Sequence, residues 1–517
     1  MKKKISILWV DDEIDLLTPY ILFLEEKGYV LTTTNNGEDA IQMVRNNDYD
    51  LIFLDENMPG LSGIETLEKI KEVKSFIPVV MITKSEEEDI MELAIGSKIA
   101  DYLIKPVNPN QILLSIKKNT DTRRLVSEKT THDYQKQFGL LSQQINSARN
   151  FSDWDEIYRK IVFWELEFQE SGEPTMDEVL NHQKVEANSE FSKFIKRNYE
   201  NWFSEESKEK PILSPQIFQN FVFPLLEKGE KVFFILIDNL RFDQWKFLEK
   251  EITNYGNLEK EELYCGILPT ATQYARNAMF AGLMPEEIHR MYPDLWVHDE
   301  EEGGKNLKEE EFLQKHLQRA GIKKSFHYDK VLNQKKGRKI IESFSDYMNY
   351  DLNVIVYNFV DMLSHARTDM EVIQELTNNE PAYRSLTASW FQHSYILELL
   401  KNLSGKNVKV IITTDHGSVR VDNPVKVLGD KKTSTNLRYK VGRNLNYNDK
   451  EVFEVQEPGK IHLPKTNISS KFIFAMGADF LVYPNNYNYY ANYYKNTFQH
   501  GGVSMEEMII PLIQLNL

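Results

Sequence analysis

Apolar and polar positions alternate regularly along the first part of the chain. Short apolar runs lie at Ile5–Val10, Val30–Thr34, Leu51–Asp55, Val79–Thr83 and Tyr102–Ile104. Runs of this length and composition predict strands, and the amphipathic stretches between them have the spacing of helices. Five strands that alternate with helices predict a doubly wound parallel sheet over residues 1–120. In such a sheet, functional groups collect at the carboxyl ends of the strands.

The pattern changes in residues 121–208, where Gln, Glu and Lys are frequent and little strand-like alternation remains. Aromatic and apolar residues recur at helical spacing, as at Phe163, Trp164, Leu166 and Phe168. We therefore predict a helical connector domain. It shows no convincing helix-turn-helix DNA reader, and the pattern favours a spacer that transmits a state between two domains.

A second α/β alternation begins at about residue 209. Four almost fully apolar runs, Val232–Ile237, Val354–Phe359, Val408–Thr413 and Phe480–Val482, predict strands that are buried on both faces. Residues 421–470 interrupt this pattern with Asn- and Lys-rich sequence and predict an inserted cap. The chain is thus predicted to be an α/β protein of three parts: 1–120, 121–208 and 209–517.

Composition narrows the class of protein. The chain has 517 residues, and none of its apolar runs approaches the ~18 residues of a membrane span. The first apolar run is broken by Asp11, Asp12 and Glu13, which a secretory signal would not carry. Together with a single cysteine, Cys265, these features predict a cytoplasmic protein. A net charge of −16 argues against a reader of duplex nucleic acid, so a DNA-binding transcription factor is the least favoured class.

Charged and hydroxyl side chains stand at the ends of the predicted N-terminal strands. Asp11 and Asp12 follow the first strand, while Asp55, Thr83 and Lys105 stand at the ends of the third, fourth and fifth. Because parallel strands bring their carboxyl ends to one rim, we expect these side chains to converge. Clustered carboxylates favour a hard cation such as magnesium. A phosphoryl group on Asp55 would be neutralised by that cation, by Lys105 and by Thr83. Solvated acidic loops would explain one such Asp, but not five positions on one frame.

These positions, with the run LIFLDENMPG at residues 51–60, resemble the response-regulator receiver family over residues 1 to about 120. The resemblance implies that Asp55 is phosphorylated by a sensor histidine kinase. The magnesium ligands that it implies are Asp55, Asp12 directly, Asp11 through water and Asn57 through its backbone carbonyl, and its switch residues are Thr83, Tyr102 and Lys105. Lys84 departs from the small residue that is usual in the family.

A second set of metal-binding side chains follows the strands of the third part. In chain order the set contains Asp238, Thr272, Asp361 with His365, Asp415 with His416, and His500. Asp361 and His365 are spaced by one helical turn, which places both on the same side of a helix. Carboxylates and imidazoles suit zinc, and two metal ions about 4 Å apart can clamp an in-line phosphoryl displacement. Any one of these pairs alone is more often a satisfied polar pair, so the order of the whole set carries the prediction.

That order, with the stretch LRYKVGRNL at residues 437–445, resembles the alkaline phosphatase superfamily and its PglZ branch over about residues 205–517. The resemblance implies one zinc ion held by Asp361, His365 and His500, and another held by Asp238, Asp415 and His416. It also implies that a threonine bridges as the nucleophile, and the Pro-Thr-x-Thr pattern favours Thr272 over Thr270.

Basic residues near this site are predicted to bind a polyanionic substrate. They are Arg276, one turn after Thr272, and, in the predicted cap, Lys426, Lys431, Lys432, Arg438, Lys440 and Arg443. For the cap residues, a solvated charged surface is the alternative interpretation.

Two functional hypotheses follow. The first is a zinc-dependent phosphodiesterase that acts on nucleotide-type phosphodiesters and is gated by phosphorylation of Asp55. The second is a non-catalytic adaptor that works through protein contacts. The order of the three parts also resembles the response regulators of type IX secretion. That resemblance implies homodimerisation on phosphorylation, control of secretion genes and contact with an extracytoplasmic-function sigma factor.

Overall fold

The computed structural model describes residues 5–74, 77–83, 99–171, 174–204, 210–299, 301, 303–358, 360, 379–429, 433–465 and 469–517, with backbone alone at 120–129 and 174–175. It has two compact units. The first consists of the residues up to Tyr134 with Ser171–Glu173, and the second of Gln135–Glu170 and Pro174–Leu517. None of the described helices is long and apolar enough to cross a membrane.

The first unit contains the predicted five-stranded parallel sheet. Its strands are β1 Ser6–Val10, β2 Val30–Thr34, β3 Leu51–Asp55, β4 Val79–Thr83 and β5 Asp101–Ile104, in the order β2-β1-β3-β4-β5. The helices between them are α1 Thr18–Glu26, α2 Gly37–Asn46 and α3 Gly63–Val73. Each residue of β3 and β4 is buried, as expected for strands covered on both faces. Ser62 and Glu65 form a capping box that starts α3 just after the Asp55 strand.

The connector is helical, as predicted. It contains α4 Pro109–Ser147, α5 Phe151–Ser171 and α6 Pro174–Asn198. From Gln135 onward these helices share one hydrophobic core with the C-terminal sheet. For example, the ring of Tyr158 on α5 packs 5.8 Å from the ring of Phe242, and Arg159 forms an ion pair with Glu261. The change in sequence pattern near residue 208 therefore does not separate two hydrophobic cores, because aromatic residues of the connector are buried against the following domain.

A six-stranded mixed sheet forms the centre of the second unit. In spatial order its strands are β7 Asn257–Cys265, β18 Ile509–Asn516, β10 Lys409–Thr413, β6 Val232–Ile237, β9 Leu352–Tyr357 and β8 Phe326–Val331. Strands β10, β6, β9 and β8 are parallel, whereas β18 runs antiparallel to β10 and β7. The predicted strands at 232–237, 354–359 and 408–413 correspond to β6, β9 and β10 of this sheet.

The remaining elements surround this sheet. The helices are α7 Phe223–Glu227, α8 Phe242–Ile252, α9 Thr272–Ala281, α10 Pro285–Met291, α11 Glu309–Arg319, α12 Gln334–Glu342, α13 Phe344–Tyr347, α14 Glu380–Gln392, α15 Tyr395–Leu403, α16 Tyr487–Tyr494 and α17 Met505–Met508. The short strands are β11 Val419–Arg420, β12 Asn423–Lys426, β13 Tyr439–Gly442, β14 Val452–Val455, β15 Lys471–Ala475, β16 Asp479–Val482 and β17 Phe498–Gln499.

The insertion forms small sheets of its own. Strands β13, β15 and β14 make a three-stranded antiparallel sheet, and β12 pairs with β16. The predicted strand Phe480–Val482 corresponds to β16, which pairs with β12 and not with a strand of the six-stranded sheet. These residues are buried as predicted, and Phe480 and Val482 lie in a small cluster that includes Val419 and Val421.

Candidate metal centres

Three carboxylates meet at the carboxyl end of the first sheet. Asp11, Asp12 and Asp55 each offer an oxygen, and these atoms lie within 4.8 Å of one another. Asp11 and Asp55 are buried, whereas Asp12 is exposed. The Lys105 ammonium lies 2.8 Å from Asp11 Oδ2 and 2.9 Å from Asp55 Oδ2. Three hard oxygen donors on one rim fit a magnesium ion, and the adjacent cation suits a phosphoryl group.

Burial controls the acidity of the Asp55 carboxyl. Loss of solvent around it raises its pKa, and the nearby Asp11 and Asp12 charges act in the same direction, while the bond from Lys105 opposes them. The backbone N–H of Glu56 donates to Asp55 Oδ1 at 3.0 Å and fixes the orientation of the carboxylate. The side chain is therefore held rigidly, with one oxygen against Lys105.

The other residues expected at this rim lie where parallel topology places them. Thr83 is buried at the end of β4, and the Tyr102 hydroxyl on neighbouring β5 is hydrogen-bonded to the Thr83 side chain. Asn57 is exposed two residues after Asp55. Lys84 lies outside the described residues.

A second cluster lies at the carboxyl ends of β6 and β10. Ligand atoms of Asp238, Asp415 and His416 lie within 4.8 Å of one another, and all three residues are buried. Asn239 turns the chain sharply after β6 by adopting a left-handed backbone with φ of 64°. The Thr414 hydroxyl accepts a hydrogen bond from Leu240 N at 3.2 Å and donates to His416 O at 2.9 Å. These bonds hold the two strand ends together.

Arg276 is the cation of this cluster. Its guanidinium is fully buried and lies 2.5 Å from Asp238 Oδ2 and 3.0 Å from Asp415 Oδ2, with Glu309 Oε1 at 3.4 Å. Burial alone raises the pKa of Asp415, but the charge of Arg276 and its hydrogen bond to the carboxylate outweigh burial and hold the pKa below its usual value. The prediction that Arg276 contacts substrate is corrected, because its guanidinium is enclosed by carboxylates of the protein.

The two threonines of the Pro-Thr-x-Thr pattern have different surroundings. Thr272 begins α9, is only partly buried, and its Oγ1 lies 3.0 Å from His416 Nε2. Thr270 is fully buried; its hydroxyl donates to Gly502 O at 2.9 Å and accepts from Gly501 N at 3.1 Å. Thr272 is thus the accessible hydroxyl beside the cluster, whereas Thr270 holds the loop that carries His500.

His416 and His500 are brought together from distant parts of the chain. Their rings are stacked, with centroids 4.1 Å apart and planes inclined by 12°. His416 Nδ1 lies 3.1 Å from Gly417 O, and His500 Nδ1 lies 3.1 Å from Thr270 O. A carbonyl accepts only from N–H, so each Nδ1 carries the hydrogen and each Nε2 presents a lone pair. Two imidazoles with this tautomer and two buried carboxylates fit the donor set of zinc.

The other implied zinc ligands, Asp361 and His365, lie outside the described residues. Strand β9, which precedes them in the chain, ends at Tyr357, and Tyr357 pairs with Ile237 at the end of β6.

Two basic residues expected to contact substrate from the insertion are internal. Arg438 is fully buried and forms an ion pair with Glu507 at 2.6 Å. Lys440 is also buried, donates to Ser434 O at 3.0 Å and lies over the ring of Tyr483. Both side chains are enclosed by protein, which corrects their assignment to substrate binding. Arg443 and Lys426 are exposed, and their contact with substrate stays a prediction. Lys431 and Lys432 lie outside the described residues.

The pattern of residues did not reveal a partly buried carboxylate that joins the insertion to this site. Asp299 accepts hydrogen bonds from Tyr274 on α9 and from Tyr439 on β13. A Cβ built on Gly501, next to His500, would lie 2.7 Å from Tyr439 Cδ1. The insertion is thus fastened both to the Thr272 helix and to the His500 loop. Asp299 stands in a polar segment with no motif around it, so only the folded chain discloses this contact.

Family models match three successive parts of the chain. A response regulator receiver domain matches residues 7–117, the PorX response regulator linker domain matches 124–203, and the BREX system PglZ alkaline phosphatase-like domain matches 217–515. Their order matches the architecture of PorX.

Curated relatives match the receiver part. The chain is 34% identical over 139 residues to the transcriptional regulatory protein ZraR of Klebsiella oxytoca, covering 27% of this chain and 31% of the relative. It is 36% identical over 112 residues to ResD of Bacillus subtilis, covering 22% of this chain and 46% of that protein. The chain thus spans between about a third and a half of the length of these relatives.

Solved structures give matches in the same region. A two-component response regulator from Clostridium difficile is 34% identical, with a TM-score of 0.21, and the match covers 22% of this chain and 93% of that one. A CheY-like receiver domain from Methanospirillum hungatei is 26% identical with a TM-score of 0.23, and the match covers 23% and 96% of the two chains.

Proposed function

Because the chain belongs to the PglZ alkaline phosphatase-like family and carries a response-regulator receiver domain, we propose that it is a phosphorylation-controlled, zinc-dependent phosphodiesterase. The single observation that carries the proposal is the 3.0 Å contact between the accessible Thr272 hydroxyl and His416, beside the buried Asp238 and Asp415. A hydroxyl next to a metal-type ligand cluster is the arrangement that covalent phosphoryl transfer requires.

The residues of the site have distinct roles in this proposal. Asp238, Asp415 and His416 would hold one zinc ion, and His500 would contribute to another with Asp361 and His365. When bound, zinc supplies positive charge that favours loss of the hydroxyl proton and neutralises the phosphoryl oxygens. Arg276 neutralises the buried carboxylates and keeps them in place.

Thr272 Oγ1 then attacks the phosphorus atom, and the ester P–O bond to the leaving group breaks. The proton of the Thr272 hydroxyl passes through water to the leaving alkoxide, and the phosphoryl group, which keeps its second ester bond, remains on Thr272 Oγ1. A second water molecule cleaves the new P–O bond, which releases a phosphomonoester and restores the hydroxyl. The N-terminus of α9, where Thr272 stands, favours the negative charge that develops during both steps.

In the receiver domain, Asp55 would accept a phosphoryl group from a sensor histidine kinase. Magnesium held by Asp11, Asp12, Asp55 and the Asn57 carbonyl would neutralise the incoming oxygens together with the Lys105 ammonium. The bond between Tyr102 and Thr83 supports a switch in which Thr83 turns toward the phosphoryl group.

The match to the PorX linker supports a link to type IX secretion, with homodimerisation on phosphorylation and an extracytoplasmic-function sigma factor as a partner. We propose a cytoplasmic location on the same ground. The exposed cations Lys426 and Arg443 on the insertion support a polyanionic substrate, such as a nucleotide or an oligonucleotide.

Hydrolysis of an aryl phosphodiester by the purified full-length protein tests the enzymatic proposal. The activity should be lost on treatment with a zinc chelator and restored by zinc. A panel of linear and cyclic oligonucleotides then identifies the substrate. A zinc-loaded protein that hydrolyses none of these diesters would instead favour the adaptor role.

A further inference from the structure

Connector helix α6 contacts the loop that carries His500. Three of its buried polar residues, Lys184, Asn188 and Ser192, recur every four positions and share one face of the helix. The Asn188 side-chain oxygen accepts from Met505 N at 2.8 Å, and its Nδ2 donates to Glu506 Oε2 at 3.0 Å. Lys184 Nζ lies 3.0 Å from the other oxygen of Glu506. Ser192 Oγ donates to Val503 O at 3.4 Å.

The residues held by α6 lie against both histidine loops of the candidate zinc centre. A Cβ built on Gly417, next to His416, would lie 1.9 Å from Glu506 O. Gly417 N also donates to Glu507 O at 3.3 Å. On the other side, Gly502 N donates to Glu507 Oε1 at 2.9 Å, two residues after His500. A displacement of Glu506 would therefore move both loops.

Water cannot readily replace these contacts. Asn188 is 6% exposed, and Glu506 is 2% exposed. Lys184 also pairs with Glu165 at 2.7 Å, which extends the network through buried side chains. Its further members are Asp243, Arg241, Arg384 and Glu380. Removing one partner from such a network leaves a desolvated polar group unsatisfied, so the position of the loop depends on α6.

We infer that Asn188 is a positioning residue of the zinc centre, through which the connector holds the His500 loop at the distance that zinc binding requires. The inference rests on the proposed function only for the identity of the bound metal. According to this inference, the connector positions the loop that carries His500 by direct contact. A conformational change in the connector therefore alters zinc affinity without any contact between the connector and the substrate.

Asn188→Ala in the full-length protein tests this inference. Exchange of the amides at Gly501–Met505 is measured by mass spectrometry, and zinc affinity by competition with a chelating dye. We expect faster exchange in that segment and about tenfold weaker binding of zinc, the range found for residues that orient metal ligands. Asn146→Ala, which removes an exposed amide of the same connector, should leave both measurements unchanged.

Two variants with near-isosteric substitutions, one single and one double, keep the test decisive if the alanine variant does not fold. Asn188→Asp retains the acceptor for Met505 N but places a second carboxylate against Glu506, and should weaken zinc binding. Adding Glu506→Gln restores a donor and acceptor pair and should recover most of the affinity. Folded variants with unchanged exchange, or with faster exchange and unchanged zinc affinity, would overturn the inference. If the wild type bound no zinc, the proposed function would fail separately, and the exchange data would still decide whether Asn188 holds the loop.

Discussion

The ring of His500 stacks on the ring of His416 at 4.1 Å, although one follows the short strand β17 and the other follows the central strand β10. Backbone carbonyls bind both Nδ1 atoms, so both residues present Nε2 as a ligand atom. This pairing joins the last part of the chain to the Asp238 and Asp415 cluster, and the proposal of a two-zinc centre depends on it.

The first prediction concerns metal content. The wild type should bind two zinc ions per chain, and His500→Ala should lose most of one, because a site with three protein ligands tolerates the loss of one poorly. Elemental analysis of the dialysed proteins gives the stoichiometry. The matched control is His393→Ala, an exposed histidine on the same domain. Equal zinc content in His500→Ala and wild type would show that His500 is not a ligand.

The second prediction concerns phosphorylation. Asp55 is held 2.9 Å from Lys105, with Asp11 and Asp12 beside it, so it should be the sole phospho-acceptor. Intact-mass measurement after incubation with acetyl phosphate and magnesium should show a phosphoryl adduct on the wild type but none on Asp55→Ala. Asp48→Ala, which removes an exposed carboxylate before the amino end of β3, should behave like the wild type. An adduct of equal yield on Asp55→Ala would refute the assignment.

The local sequence predicted the positions of the site residues that stand at the ends of strands. The positions of Asp55, Thr83 and Lys105 follow from five short apolar runs, because parallel topology alone brings their ends to one rim. The positions of Asp238 and His416 follow in the same way from β6 and β10. These positions were predictable because each residue stands at or shortly after the carboxyl end of a parallel strand.

Contacts between residues that are far apart in the chain were not predictable from the positions of strand ends. Arg438 is internal because Glu507, far along the chain, lies against it. Strand β18 contains Pro511, which argues against a strand inside a sheet, and β7, at the edge of the sheet, carries four charged residues at 259–262. Neither strand has the fully apolar pattern of β6, so both were missed.

The third prediction separates the structural arginine from the exposed one. Arg438→Met leaves Glu507 buried without its cation and should lower the free energy of unfolding by about 3–5 kcal/mol. Arg443→Met should change it by less than about 0.5 kcal/mol, because the side chain is exposed. Urea denaturation provides the comparison. Equal stabilities of the two variants would mean that Arg438 is not a structural cation.

The fourth prediction is a pH dependence. Burial lowers the pKa of Lys440 to about 7, below its value in the unfolded chain. Between these two values the unfolded chain binds a proton that the folded chain does not, so stability rises with pH from about 7 upward. The free energy of unfolding of the wild type should rise with pH more steeply than that of Lys440→Met, by up to about 1.4 kcal/mol per pH unit. Parallel stability curves for the two proteins between neutral and mildly alkaline pH would contradict it.

The central claim is that the Thr272 hydroxyl performs the chemistry. Thr272→Val keeps the shape of the side chain and should retain zinc, but it should lower turnover of a phosphodiester by about a thousandfold or more. Thr270→Val removes the hydroxyl that holds Gly501 and Gly502, so its loss of activity should follow its loss of zinc. Thr253→Val, outside the site, should match the wild type.

The most direct measurement is therefore the rate of hydrolysis of one phosphodiester by the wild type and Thr272→Val, each with its zinc content determined in the same sample. The account predicts full zinc occupancy in the variant with turnover reduced about a thousandfold. Near-normal turnover by zinc-loaded Thr272→Val would contradict the account, because the threonine could then not be the nucleophile.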